Sequence, residues 1–209
     1  MPKLFRLFLF SSIVSLVLSG CQSAPTKFEN VSEGQWEGRV LIKDKKKNQS
    51  HVVSIDINAI KDEKIRINVT AAMGTPVAAL VVDGTKTQYI LFKQKAYYEG
   101  ATQPKVLNPI LAIEMDPRLL FSVLFDSEIK DKGWECLKDD KGYLKNCENK
   151  ASALKIDWVE RKGEKKTIKI DHVNASLQLN LNSFRPKVVA RDDLFSLKAP
   201  AGFKTYTLR

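Results

Sequence analysis

A cysteine near the amino terminus stands in the pattern with the clearest chemistry in this sequence. Cys21 follows Leu18-Ser19-Gly20, and the apolar run Leu7–Leu18 is preceded by Lys3 and Arg6. A basic start, an apolar stretch and small residues predict a secretory signal, and a thiolate directly after them can attack a diacylglycerol donor. LSGC is the pattern of a bacterial lipobox, so we predict a mature chain that begins at a lipidated Cys21. The alternative is an ordinary signal peptide whose cleavage site happens to precede a cysteine.

The residues after Cys21 bear on organisation and location. Gln22 and Ser23 resemble the outer-membrane address of enterobacterial lipoproteins. We therefore predict a signal peptide at 1–20, a lipidated cysteine and polar tether at 21–33 and one domain at 34–209. The expected location is the periplasmic face of the bacterial outer membrane. The expected covalent groups are a diacylglycerol and an N-acyl chain on Cys21, with no other cofactor.

The two remaining cysteines predict a disulfide. Cys136 and Cys147 flank the turn signal Asp140-Lys141-Gly142, so they can lie opposite each other on a hairpin. In an oxidising compartment such a pair is typical of a disulfide, with free thiols as the alternative. A metal site would need further ligands, and the two histidines, His51 and His172, are isolated in the sequence. We predict no metal site.

Charge and missing motifs limit the classes of function. The formal charge of +10 falls to +8 without Lys3 and Arg6, which leaves 32 basic and 24 acidic residues. Export disfavours nucleic acid, whereas anionic lipid headgroups or an acidic carrier protein fit, and charge for solubility alone is the alternative. The run Lys43–Lys47 is predicted to be a hairpin tip rather than a binding patch. No nucleophile-and-base pattern or phosphate-binding Gly-rich loop is present, so we predict that the protein is not an enzyme.

From Trp36 onward the apolar residues recur with a period of two, which predicts strands. Turn signals such as Asp83-Gly84 separate these strands at hairpin spacing. The expected fold is mainly β with a few helices (α+β). It is a curled, half-open antiparallel β-barrel of about ten or eleven strands with a short helical lid, and Phe195–Ala199 is the last strand.

The lid is predicted at Arg118–Asp126, where Asp116-Pro117 is a helix-start signal. Apolar residues surround most of this helix, so it should be buried. A cavity between it and the sheet would bind acyl chains, at roughly 25 cal/mol per Å² removed from water. The alternative is a solid core, because protein interiors usually pack without voids. The candidate cavity residues are Leu119, Leu120, Val123 and Leu124.

An apolar hairpin tip is the other unusual feature. Met73 lies in the turn Ala71–Pro76, where polar residues are expected. A methionine there either folds back into the core or projects towards a membrane or partner. Gly74 and Pro76 favour a turn that carries the tip away from the sheet.

The stretch Ile67–Thr75, followed by an apolar strand from Val77, resembles the outer-membrane lipoprotein receptor LolB, as does Gly38-Arg39-Val40 in the first strand. The resemblance implies the half-open barrel that LolB shares with the soluble periplasmic carrier LolA. Met73 takes the place of the protruding Leu of that family, although it is a different residue. The Cys136 and Cys147 pair is not typical of the family, and the end of the chain, Phe195–Phe203, is closer to that of the carrier.

The same resemblance implies an activity. A LolB-like protein accepts the acyl chains of a lipoprotein from a LolA-like carrier and inserts the lipoprotein into the inner leaflet of the outer membrane, with Met73 in contact with membrane or cargo. The alternative function is a structural or envelope-assembly lipoprotein that uses the same scaffold without transfer.

Replacing Cys21 with Ala should release the protein into the soluble periplasmic fraction without changing its fold, because a tether contributes little to a core. Fractionation and circular dichroism of the released protein test this. If the variant stays with membranes after a high-salt wash, an acyl anchor is not what holds it there.

Overall fold

The computed structural model describes residues 24–107, 110, 113–189 and 193–208, which contain one twelve-stranded sheet and the helix α1 (Leu119–Phe125). Among these residues no helix is long and apolar enough to cross a bilayer. Short 3-10 turns lie at Phe28–Asn30, Ala72–Gly74 and Pro104–Leu107. The strands are β1 Glu33–Asp44, β2 Gln49–Ile60, β3 Lys64–Thr70, β4 Pro76–Asp83, β5 Lys86–Leu91, β6 Ala96–Ala101, β7 Glu135–Lys138, β8 Leu144–Asn149, β9 Leu154–Lys162, β10 Lys165–Asp171, β11 Ala175–Arg185 and β12 Lys204–Leu208.

The strands form one continuous sheet in the order β12-β6-β5-β4-β3-β2-β1-β11-β10-β9-β8-β7. All pairs are antiparallel except β12 with β6, which is parallel. The prediction of a mainly β, curled sheet with an apolar helix is confirmed. The expected barrel is corrected to an open sheet, because β12 and β7 each pair with only one neighbour in the described structure.

The carboxyl-terminal part of the fold differs from the sequence prediction. Phe195–Ala199 is not a strand, and the last strand begins at Lys204 instead. The described part of the intervening segment, residues 193–203, crosses the outer face of the sheet. There Leu197 packs with Val81, Ile90 and Tyr97. The peptide of Leu197 is also held by Gln88, whose side chain donates to its carbonyl at 3.2 Å and accepts from its N–H at 3.3 Å. The apolar residues of this segment cover the outer face of the sheet, and their spacing resembles that of a strand.

The concave face of the sheet carries the main core. Successive strands place alternate apolar side chains there, among them Val40, Ile57 and Ile168. Gly38 permits a close approach of β1 to β11 at a bulge, because a Cβ atom at this position would lie 2.3 Å from the backbone oxygen of Asn180. The resemblance at Gly38 thus coincides with a steric requirement of the sheet.

Helix α1 covers part of this concave face, and six of its seven residues are buried. The helix begins at Leu119, one residue after the predicted start, and its N-cap residue is Arg118 rather than Asp116. The carboxylate of Asp116 accepts a hydrogen bond from the N–H of Arg118 at 2.9 Å in the turn that precedes the helix. The helix ends at Asp126, whose φ of 48° is left-handed.

Buried charge fixes the end of α1 to the sheet. Lys166 on β10 is completely buried, and its Nζ lies 2.7 Å from a carboxylate oxygen of Asp126. The indole N–H of Trp158 donates to the same carboxylate at 2.8 Å, and Arg161 lies 3.4 Å away. Lys166 also donates to the carbonyl of Leu124, one of the open carbonyls of the helix end. Burial lowers the pKa of the Lys166 ammonium, while the charge of Asp126 opposes that shift.

The packed domain begins earlier than the predicted boundary at residue 34. Phe28 is buried, and its ring packs edge-on against Phe184 with centroids 5.0 Å apart. The N–H of Thr26 donates to the carbonyl of Gly163 at 2.9 Å, and the hydroxyl of Tyr143 donates to the carbonyl of Pro25 at 2.9 Å. The described part of the predicted tether is therefore attached to the sheet.

Replacing Asp126 with Asn should lower the free energy of unfolding by about 3–5 kcal/mol, because it leaves a buried ammonium without its counter-charge. The double variant Asp126→Asn/Lys166→Met should recover most of this loss. The measurement is urea unfolding followed by circular dichroism.

The matched control is Asp157→Asn in the exposed Lys155–Asp157 pair, where the charges are 3.0 Å apart. This change should cost less than about 1 kcal/mol. Equal losses for Asp126→Asn and Asp157→Asn would contradict the role given to the buried pair.

Candidate functional site

An apolar cavity of about 310 Å³ lies between the concave face of the sheet and α1. Of the twenty described residues that line it, eighteen are apolar, and the two others are Lys93 and Gln94. The apolar lining consists of Val40, Ile42, Val53, Ile55, Ile57, Ile67, Val69, Val77, Ala78, Ala79, Leu80, Leu91, Leu107, Ile110, Leu120, Ile170, Leu177 and Leu179.

The strands β1–β4 supply most of this lining through their period of two. Val53, Ile55 and Ile57 alternate along β2, and Ile67 and Val69 do so along β3. Ile67 and Val69 are only half-buried, because they face the cavity rather than packed neighbours. β-Branched residues lose little side-chain freedom on a sheet, so they give the cavity a stiff wall.

The predicted cavity residues on α1 divide into two groups. Leu120 lines the cavity. Leu119, Val123 and Leu124 are buried in the main core without lining it. The helix is apolar around most of its circumference, so the sequence alone could not show which side faces the open space. The sequence analysis did not identify the residues of β1–β4 that line the cavity. Their apolar residues alternate in four consecutive strands, and this pattern could have indicated a shared apolar wall.

A polar mouth continues the cavity towards solvent. A wider depression of about 800 Å³ shares Ile42, Val53 and Lys93 with the apolar cavity. It adds Asp44, Lys47, Gln49, Ser50 and His51 to the lining. Because the two spaces share walls, the cavity passes from an apolar interior to a charged rim.

The tip that carries Met73 stands at this mouth. Ala71 lines the outer depression, and Val77 lines both spaces. The side chain of Met73 is 100% exposed, and its backbone has φ 59° and ψ 25°. A left-handed conformation costs a non-glycine residue about 1–3 kcal/mol. The turn is closed by a hydrogen bond from the N–H of Ala71 to the carbonyl of Thr75 at 2.8 Å. Of the two orientations considered for Met73, the structure has the projecting one.

The predicted disulfide lies away from the cavity. Cys136 and Cys147 face each other across the β7–β8 hairpin, and their sulfur atoms are bonded. This hairpin forms one edge of the sheet. The lipidation candidate, Cys21, lies outside the described residues.

The strongest pKa shifts also lie outside the cavity lining. Burial raises the pKa of Tyr89 to about 12 and lowers that of Lys166. Within the described ranges, no three His, Cys, Asp or Glu side chains come together as a possible metal site.

No protein-family model matches the sequence, and no curated protein matches it. Solved structures do match the fold. A LolA superfamily protein from Nitrosomonas europaea superposes with a TM-score of 0.52 and 9% identity over 80% of this chain and 91% of that chain. The fold is LolA-like.

Two further structures share this LolA-like fold. A proposed outer membrane lipoprotein-sorting protein domain from Vibrio parahaemolyticus has a TM-score of 0.51 and 10% identity over 78% of this chain and 89% of that chain. A DUF1329 family protein from Desulfovibrio piger has a TM-score of 0.53 and 10% identity over 81% of this chain and 91% of that chain. At these identities the likeness concerns the fold and does not single out LolB.

The two leucines on α1 predict different effects of truncation. Leu124→Ala should lower the free energy of unfolding by about 2–5 kcal/mol, because Leu124 is surrounded by core. Leu120→Ala should cost less, because part of its surface already faces open space, and it should enlarge the cavity. Urea unfolding measures both losses. Equal losses would contradict the position of Leu120 at the cavity wall.

Proposed function

We propose that this protein is an envelope lipoprotein that binds acyl chains in its cavity and, like LolB, accepts lipoproteins and inserts them at the outer membrane. The observation that carries the proposal is an apolar cavity whose mouth stands beside the fully exposed Met73. Two proteins of similar fold, a LolA superfamily protein and a lipoprotein-sorting domain, support the same theme.

The cavity suits a flexible hydrocarbon chain better than a polar ligand. Among the described residues its wall offers many apolar side chains and two polar ones, Lys93 and Gln94. Burial of each methylene contributes about 0.8 kcal/mol, so affinity grows with chain length and needs no specific hydrogen bond. A volume of about 310 Å³ lies at the lower end of the range of roughly 300–1,000 Å³ for small-molecule sites.

The proposed transfer needs a donor, a cavity and an acceptor surface. A LolA-like periplasmic carrier delivers the acyl chains, and the walls of β2 and β3 hold them below Leu120. Met73 then enters the inner leaflet of the outer membrane and brings the cavity mouth to the bilayer. Acyl groups on Cys21 keep the protein at that membrane, and two or more chains are needed for stable anchoring.

A second candidate function is a structural or envelope-assembly lipoprotein that uses this scaffold without transfer. The buried Asp126–Lys166 pair favours it, because this pair fixes one end of α1 and resists lid movement. The two functions differ in whether the cavity holds a ligand.

Residues 22–209, which include every described residue, should co-purify with acylated molecules that mass spectrometry identifies. They should also bind a fluorescent fatty acid. Ala78→Phe should abolish this binding, because the ring occupies the cavity, at a stability cost of about 1–3 kcal/mol. Ser54→Phe, on the exposed face of β2, is the matched control and should bind like the unmodified protein. Equal binding by both variants would contradict the acyl site.

Met73→Glu should lose insertion into lipid and delivery of cargo, because a carboxylate cannot enter the hydrocarbon region at low cost. Its melting temperature should hardly change, because the side chain touches no core. Leu137→Glu, at another exposed apolar residue on β7, is the control and should keep both activities. A large fall in the melting temperature of Met73→Glu would contradict the membrane-contacting role.

A further inference from the structure

The turns around the cavity mouth are rich in lysine and therefore positively charged. Three turns lie side by side at this end of the sheet: 45–48 between β1 and β2, 71–75 between β3 and β4, and 92–95 between β5 and β6. Together they contain five lysines and no Asp or Glu. The turns at the other ends of the same strands, 61–63 and 84–85, contain one lysine and two acidic residues. Positive charge is therefore concentrated at the mouth. We name the three lysine-rich and apolar turns the mouth face.

Some of these lysines are engaged within the protein and others are available. Lys45 binds the Asp171 carboxylate at 2.9 Å and the His172 carbonyl at 2.7 Å. Lys47 lies 3.8 Å from Asp44. Lys46, Lys93 and Lys95 are exposed, and none of them forms an ion pair with a residue in the described ranges.

Internal bonds order the basic turn 45–48. A carboxylate oxygen of Asp44 accepts hydrogen bonds from the backbone N–H groups of Lys46 and Lys47, each at 3.0 Å. One of the two acidic side chains beside this turn in the described structure, Asp44, thus holds the backbone, and the other, Asp171, pairs with Lys45. The ammonium group of Lys46 remains exposed on this ordered turn, so little further ordering is required when it meets an anionic surface.

We propose that the mouth face docks on a bilayer that contains anionic phospholipids. Lys46 and Lys95 lie at the level of the lipid phosphates. Met73 lies on the turn 71–75, between the turns that carry these two lysines, and its side chain enters the acyl region. The inference rests on the proposed acyl-binding function, because docking serves this site by joining its mouth to the bilayer.

Exposed lysines beside a single exposed methionine, Met73, favour a bilayer over an acidic protein as the partner. Met73 projects alone from a tight turn and offers no concave apolar surface for a protein side chain. A single projecting apolar side chain can insert at any point of a lipid surface. Lipid phosphates attract lysines without requiring a fixed geometry. Such attraction acts over about 8–10 Å at physiological salt.

The test measures the partition of residues 22–209, which lack Cys21, onto vesicles by flotation. Vesicles of phosphatidylcholine, with and without one third of phosphatidylglycerol, are compared. We expect binding only to the anionic vesicles, and weaker binding at high salt. Each lysine near an anionic surface raises the partition about fivefold, so Lys46→Gln/Lys95→Gln should lower it about 25-fold. Neither residue lines the cavity, so binding of a fluorescent fatty acid should stay unchanged.

Lys162→Gln/Lys165→Gln removes the same charge from two exposed lysines at the adjoining ends of β9 and β10 and is the matched control. It should change the partition by less than about twofold, because these lysines lie outside the mouth face. Equal losses for the two pairs would overturn the proposal in favour of overall charge. Equal binding to both kinds of vesicle, or binding to beads with an acidic peptide but not to anionic vesicles, would also overturn it. Failure of the unmodified protein to bind the fatty acid would instead refute the proposed function, independently of the vesicle result.

Discussion

The buried ion pair between Asp126 and Lys166 determines how the concave face is used. It fixes the end of α1 against β10, and Phe125 packs edge-on against Trp36 with ring centroids 5.3 Å apart. The part of the concave face near this contact is filled with core side chains. Along β2–β4, by contrast, apolar side chains line open space in the described part of the structure. Taking two charges out of water is expensive, and the attraction between them offsets this cost only where the geometry is good and further hydrogen bonds are made, as they are here with Trp158 and Leu124.

An apolar cavity is itself a cost to the fold, because its walls lose contacts roughly in proportion to the volume left empty. Two features of the walls keep it open. β-Branched residues on β2 and β3 have few rotamers and cannot extend into the space. The outer face of β4–β6 is sealed by the segment that contains Leu197, so these strands cannot be drawn inward without breaking its contacts with Gln88. A hydrocarbon ligand would restore the missing contacts, which links the rigidity of the sheet to the proposed acyl binding.

Local patterns predicted local structure well. The alternation in β2, the start of α1 shortly after Asp116-Pro117 and the hairpin that joins Cys136 to Cys147 each depend on nearby residues, and the structure contains all three. Features that depend on distant partners were missed. β12 pairs in parallel with β6 only because the preceding segment crosses the sheet, and Lys166 follows another lysine in a stretch that looks exposed. The choice of Leu120 over Leu124 as a wall residue depends on the placement of a whole helix.

If the protein is anchored through Cys21, as proposed, the contacts of Pro25 and Thr26 with the sheet constrain how it can stand on a membrane. Thr26 is bound to Gly163 beside the start of β10, whereas the other end of β10 reaches the mouth face through the Asp171–Lys45 pair. These seven residues span roughly 20 Å at about 3.3 Å per residue. The five steps from Cys21 to Thr26 span at most about 17 Å. An upright molecule with its anchor below Gly163 would therefore direct its mouth away from that membrane. Anchoring and docking on the same bilayer require β10 to lie along the surface, or the bonds of Pro25 and Thr26 to the sheet to open.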